Sequence, residues 1–160
     1  MDTGSIIIGV VITVICISPI IIMNYFRVKK QNKKLNSLKE FAKQHGFQID
    51  QHEFCGDFVI GIDKTKDIAL YHRRHKEEFS NQFVDLSNIR TCKVDKKARI
   101  VGNGDESVSV IEQIDLCFIP TNKSTGETRF ELFNESINIQ LGDELQFAEK
   151  WSRQINNMLK

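Results

Sequence analysis

Residues 58–76, FVIGIDKTKDIALYHRRHK, decide how this 160-residue chain is read. Phe58, Ile60 and Ile62 alternate with Val59 and Gly61, the period of two that a β-strand imposes because successive side chains leave opposite faces. Asp63-Lys64-Thr65-Lys66-Asp67 supplies a polar turn, and Ile68, Leu70 and Tyr71 resume the apolar pattern, so the stretch predicts a β-hairpin. Its end differs. Tyr71-His72-Arg73-Arg74-His75-Lys76 loses the apolar beat and, with Glu77 and Glu78 following, reads as a solvated charge run. The alternative is an anion site: Arg73, Arg74 and Lys76 could hold a phosphate or an anionic headgroup through charge-assisted hydrogen bonds, in a field that the two glutamates partly cancel. His72 and His75 would add a pH response if buried.

Outward from this hairpin, Gln48 to Cys55 predicts a further strand. Before it, Leu35, Leu38, Phe41, Ala42 and His45 recur at helical spacing, and Gly46 is suited to end the run. Residues 35–46 therefore read as a short amphipathic helix, whose exposed side of mixed sign suits docking on the domain more than lying in a membrane surface. In the other direction, Val84 to Ile89 leads into a strand over Arg90 to Val94, and Gly102 to Ser107 is a flexible loop. Val108, Val110, Ile114, Leu116 and Phe118 share one face of the clearest strand, interrupted only by Glu112. Pro120 to Gly126 makes a turn, and Phe130 and Leu132 mark another strand. Asp143 and Gln146 have the spacing of a capping box, after which Phe147, Ala148, Trp151, Ile155, Met158 and Leu159 form one stripe. The predicted fold class is mainly β with helices: a curled antiparallel sheet pair of six to seven strands over about residues 47–134, closed by a helix over 143–159.

The N-terminus has another character. From Thr3 to Phe26 there is no charged residue, and 18 to 24 helical residues reach roughly 27 to 36 Å, matching a hydrocarbon core of about 30 Å. A cleavable signal peptide would carry positive charge before the apolar run, and a buried core helix would be shorter with a polar face. Residues 1–26 are thus expected to form a transmembrane anchor. The next eight residues, 27–34, form a basic linker holding Arg27, Lys29, Lys30, Lys33 and Lys34, a set that serves as a topology signal and as a contact for anionic lipid. The positive-inside rule puts the N-terminus outside and residues 35–160 in the cytoplasm, at a plasma or inner membrane. With the whole chain at +1, five cations in residues 27–34 and Asp2 the one acid before them, residues 35–160 carry −3, which argues against a nucleic-acid partner.

Cys16, Cys55, Cys92 and Cys117 are isolated, with no CxxC pair, and read as small apolar residues in a reducing compartment. His52 with Cys55 is at best half a zinc site, so no metal or cofactor is expected. Asn122-Lys-Ser124 and Asn134-Glu-Ser136 match the glycosylation acceptor pattern, relevant only outside the cytoplasm. No Gly-rich phosphate loop, nucleophile elbow or His-Glu-x-x-His motif occurs, and no catalytic residue is assigned.

Strands followed by one C-terminal amphipathic helix with a central Trp resemble the pleckstrin-homology-like fold, including its bacterial membrane-tethered members, over about residues 47–160. Gly61-Ile62-Asp63 through Leu70-Tyr71 looks like the early strand pair. Val84-Asp85-Leu86-Ser87-Asn88-Ile89-Arg90-Thr91-Cys92-Lys93-Val94 is similar to an apolar segment of such domains. The helix at 35–46 departs from the pattern. The resemblance implies lipid-headgroup or peptide binding more readily than catalysis. The expected function is a non-enzymatic, membrane-anchored interaction module that binds another membrane or peripheral protein. Anionic-lipid binding by the domain is the alternative, and a small enzyme or enzyme subunit the third class.

Overall fold

The hairpin is present, and its second strand is longer than its apolar pattern. β2, Phe58–Asp63, pairs antiparallel with β3, Ile68–His75, so β3 runs through the charged stretch that reads as a loop. Asp63 sets the turn between them. Its buried carboxylate accepts from the backbone N–H groups of Gln48 at 2.8 Å, Thr65 at 2.9 Å and Lys66 at 3.0 Å. Burial opposes the charge, yet these three donors outweigh it and hold the carboxyl below its usual range.

The computed structural model describes residues 3–75, 78–102, 107–122, 124–138 and 140–159. The chain is mixed α/β: a long N-terminal helix, α1, Thr3–Gln44; two antiparallel sheets of four and three strands; and a C-terminal helix, α2, Glu144–Asn156. The first sheet adds β1, Gln51–Cys55, and β4, Glu78–Asp85, as its edges. The sequence pattern misses β4, because Phe79 and Phe83 stand four apart among Ser80, Asn81 and Gln82 and suggest no period of two. Pairing with β3 supplies the missing order.

The second sheet comprises β5, Ile89–Val101, β6, Val108–Pro120, and β7, Thr128–Asn134. β5 continues well past Val94, since its polar outer half is paired by β6. A bulge where Lys97 pairs Gln113 and Ala98 pairs Ile111 leaves Glu112 as the extra residue. The bulge reverses the facing of what precedes it. Ile111 therefore packs on the core, while Val108 is exposed, contrary to the single apolar face expected for Val108 to Phe118.

The four-stranded sheet has two buried faces. One, with Phe58, Ile60, Ile62, Ala69 and Tyr71, meets Leu116, Phe118, Phe130 and Leu132 of the second sheet and Phe147, Trp151 and Ile155 of α2. Trp151 is fully buried and donates its indole N–H to Glu53 Oε2 at 2.9 Å. The other face, with Val59 and Leu70, receives Leu38 and Ala42 of α1. Gly61 permits that approach: a Cβ there would lie 3.2 Å from both Leu38 Cδ2 and Ile49 Cγ2.

α1 is one helix, so residues 27–34 are not a separate linker and residues 35–46 not a separate helix. Residues 20–45 contain neither Gly nor Pro, and the Lys, Gln and Leu residues there are good helix formers. It ends in a Schellman motif: Gly46 takes φ +72°, its N–H meets Lys43 O at 3.1 Å, and the Phe47 N–H meets Ala42 O at 2.8 Å. The described portion from Ile12 is long and apolar enough to cross a membrane, and none of its apolar window is buried against the protein. At α2, Asp143 makes no side-chain cap. Instead Glu144 turns its carboxylate back to the Gly142 N–H at 2.6 Å, so the expected capping box is replaced.

Candidate functional site

Strand alternation separates the three consecutive cationic or titratable residues His72, Arg73 and Arg74. The even-numbered pair follows Leu70 onto the α1 side, and Arg73 follows Tyr71 onto the face of the second sheet. There Arg73 is 5% exposed and held by several partners. Nε meets Asp57 Oδ2 at 2.9 Å, Nη1 meets Glu131 Oε1 at 2.8 Å, and Nη2 meets Asn138 Oδ1 at 2.7 Å. Tyr71 Oη donates beside it to Glu131 O. Burial disfavours the Arg73 charge, but the Asp57 contact more than compensates and raises its pKa. Arg73 therefore ties β3 to β7, with four of its five N–H donors engaged and its charge matched by Asp57 and Glu131, which sets it apart from the candidate anion set. Lys76 lies outside the described residues.

On the α1 side the geometry is opposite. Lys30, Lys33, Lys34 and Ser37 stand at i, i+3, i+4 and i+7, one face of the helix. Together with His72 and Arg74 they line a cleft of about 310 Å³ whose lining holds no carboxylate among the described residues. Two residue sets expected as separate, the juxtamembrane lysines and the charged run near residue 74, thus form one cationic site. Arg27 instead lines another groove, and Lys29 is exposed outside the cleft.

Each member is positioned locally. Lys34 is only 5% exposed because the stripe that buries Leu38 and Ala42 continues one turn upstream, and its Nζ donates to Gly56 O at 2.6 Å. Burial, followed by repulsion from Lys30, lowers its pKa, with Asp57 acting in the opposite sense. The Arg74 guanidinium lies 5.0 Å from the centre of the Phe79 ring, an aromatic 57% exposed at the edge strand. Among the described residues, Lys30, Lys33 and Arg74 have no carboxylate within ion-pair distance. Like charges held this close are what a bound anion relieves.

His72 forms the inner wall. Nδ1 faces Asn81 Oδ1 at 2.6 Å across the β3–β4 pair, while Nε2 is buried with no hydrogen-bond partner. With the Asn81 side-chain oxygen as the acceptor, the tautomer that fits carries its proton on Nδ1 and presents a lone pair at Nε2. Burial lowers the His72 pKa, the Asn81 contact opposing this, and Lys34 and Arg74 add to the lowering.

A wider groove of about 810 Å³ lies between β1 and the start of α2, where Arg27, Glu53, Glu144 and Lys150 contribute both signs. One opposite pair is matched within it: Lys150 Nζ meets the Glu53 carboxylate at 2.7 and 2.8 Å. Burial, then Glu144, pushes the Cys55 thiol in its wall up to about 12, so it is not a thiolate nucleophile at neutral pH. Among the described residues no cluster of three His, Cys, Asp or Glu side chains is placed to hold a metal. No protein-family model, curated protein or solved structure matches this chain.

Proposed function

We propose that this chain is a single-pass, non-enzymatic membrane module that binds an anionic headgroup at the cytoplasmic surface through the cleft between α1 and β3. The observation that carries this reading is the convergence of Lys30, Lys33, Lys34 and Arg74 on one concave site without a carboxylate among its described lining residues. Its height on α1 agrees. Lys30 and Ser37 lie four and eleven residues beyond Phe26, about 6 and 16 Å along the helix, whereas the headgroup layer is about 5–7 Å deep. The upper rim thus falls at the level of lipid phosphates, with the N-terminus outside as the positive-inside rule requires. The pleckstrin-homology-like kinship belongs to the same proposal, supported by seven strands in two antiparallel sheets followed by one helix with a buried Trp151.

A protein partner, the first expectation from the sequence, draws support from one feature: β4 is an edge strand bearing the exposed Phe79 and Phe83. The cleft is the more specific feature. The test uses the full chain, because removing residues before 35 would delete three lysines of the site. Nanodiscs of mixed zwitterionic and anionic lipid are formed around the chain, and the lipids retained after gentle extraction are weighed by native mass spectrometry. Wild type is expected to retain anionic lipid. Lys30→Gln/Lys33→Gln/Arg74→Gln should reduce this about 100-fold, at about 1 kcal/mol per cation. Equal retention by both overturns the reading.

A further inference from the structure

Building on the anion-binding reading of the cleft, we infer that the site selects a terminal phosphate, a phosphomonoester or free phosphate, over a phosphodiester or sulfate, because His72 Nε2 requires a proton that the ligand brings. The cations alone would not discriminate, since Lys and Arg donors serve any oxyanion. His72 and the Ser37 hydroxyl are the members of the cleft that accept, and of the two only His72 Nε2 is buried without a partner. β4 sets its orientation: with Asn81 Oδ1 2.6 Å away as acceptor, the tautomer that fits carries its proton on Nδ1 and leaves Nε2 buried and unpartnered in a residue of the cleft wall.

The groups around it keep that lone pair free. On α1 it faces Lys30, Lys33 and Lys34, all donors. On β3, Arg74 is a donor and Arg73 points to the other face, where Asp57 and Glu131 engage it. On β4 it meets Asn81 and the Phe79 ring, 6.2 Å between centroids, and on β2 its register partner is Val59. No carboxylate among these residues stabilises an imidazolium, and burial beside cations disfavours one.

A phosphomonoester, with its second pKa near 6, is present partly as the monoanion at pH 6.5, and that form carries a P–O–H into the complex. That hydrogen bonds to Nε2 while the remaining oxygens accept from Lys30, Lys33 and Arg74, so one proton is shared and none need come from solvent. A diester or sulfate has no such proton at neutral pH. Either an oxygen lone pair then faces the Nε2 lone pair, or His72 must be protonated among cations. Nε2 is shielded in the free protein, so the ligand reaches it only with a side-chain rearrangement, and Lys30 and Lys33 are the exposed members of the cleft.

The experiment places the full chain, labelled with ¹⁵N-histidine, ¹⁵N-lysine and ¹⁵N-arginine, in phosphatidylcholine nanodiscs and titrates inorganic phosphate and sulfate at pH 6.5, His72, Lys30 and Arg74 being assigned by His72→Gln, Lys30→Gln and Arg74→Gln. Free protein should show an unprotonated Nε2. Phosphate should shift that nitrogen and bind at least about ten-fold more tightly than sulfate, the difference expected when a buried acceptor gains or lacks its donor. In His72→Gln, whose amide can donate, the preference should disappear while binding persists. Discs with phosphatidic acid or phosphatidylglycerol at matched surface charge distinguish the source. A His72 shift with phosphatidic acid but not phosphatidylglycerol identifies a lipid ligand, and a shift with free phosphate alone identifies a soluble one. Phosphate and sulfate binding equally overturns the inference and leaves the anion site standing. The opposite tautomer in the free protein overturns it as well. If neither anion nor either lipid perturbs His72, Lys30 or Arg74, the anion-binding reading itself fails.

Discussion

On the face of the four-stranded sheet that meets β5–β7, Arg73 is surrounded by Asp57, Glu131 and Asn138 and donates to each of them. On the face that meets α1, Arg74, Lys30 and Lys33 share a cleft with no acidic lining among the described residues. The two arginines are adjacent in sequence, and strand alternation alone gives them different work. Where opposite charges meet inside a protein they act as ties between elements. Where like charges are gathered at a rim, the fold bears a repulsion that is relieved from outside.

The comparison can be broken first at Arg73. Arg73→Leu leaves Glu131 and Asp57 without their partner and should lower unfolding free energy by about 3 kcal/mol in denaturant titration, the typical loss when one member of a buried pair is removed. Anion binding by the folded fraction should not change. A smaller loss belongs to the opposite face. Gly61→Val presses a branched side chain against Leu38 and Ile49, which a Cβ already approaches to 3.2 Å, and should cost about 1–3 kcal/mol by overpacking. Hydrogen exchange should then show loosened protection in residues 34–44 of α1.

His72 sharpens the comparison through pH. Its pKa is lowered in the fold, so the unfolded chain binds the proton more readily than the native one. Stability is complete above the ordinary value near 6.5 and is lost as pH falls from there toward the depressed native value, at no more than about 1.4 kcal/mol per pH unit for one proton. His72→Gln should flatten that part of the curve. The smallest stability effect is expected at Arg74→Gln, within about 0.5 kcal/mol of wild type, since no ion pair is broken. Its anion affinity should nonetheless drop about five-fold, at about 1 kcal/mol for one cation.

Much of this arrangement is legible in the residues and part is not. The Phe58–Ile62 alternation, the α2 stripe through Trp151 and the stop at Gly46 follow from local periodicity and capping chemistry, and they appear where expected. β4 and the outer half of β5 are invisible to the same reasoning, because their order comes from backbone pairing with β3 and β6. The charge run failed as a loop for a related reason: Tyr71, His72 and Arg73 are buried on β3 because a helix covers one face and a sheet the other, a tertiary fact. The cleft left a trace that could have been followed. Lys30, Lys33, Lys34 and Ser37 keep helical spacing with Leu38 and Ala42, so extending the amphipathic helix upstream would have aimed the lysines at the same sheet. The role of Asn81 in orienting His72 left none, since it depends on the β3–β4 register.

The most direct measurement compares the lipids retained by wild type, Arg73→Leu and Arg74→Gln/Lys33→Gln when each full chain is drawn from nanodiscs of mixed zwitterionic and anionic lipid. Wild type and the folded fraction of Arg73→Leu are expected to retain anionic lipid alike, and the double variant to lose it by about 30-fold, at about 1 kcal/mol for each of two cations. Loss in Arg73→Leu with retention in the double variant would contradict the division of labour between the two faces of the sheet.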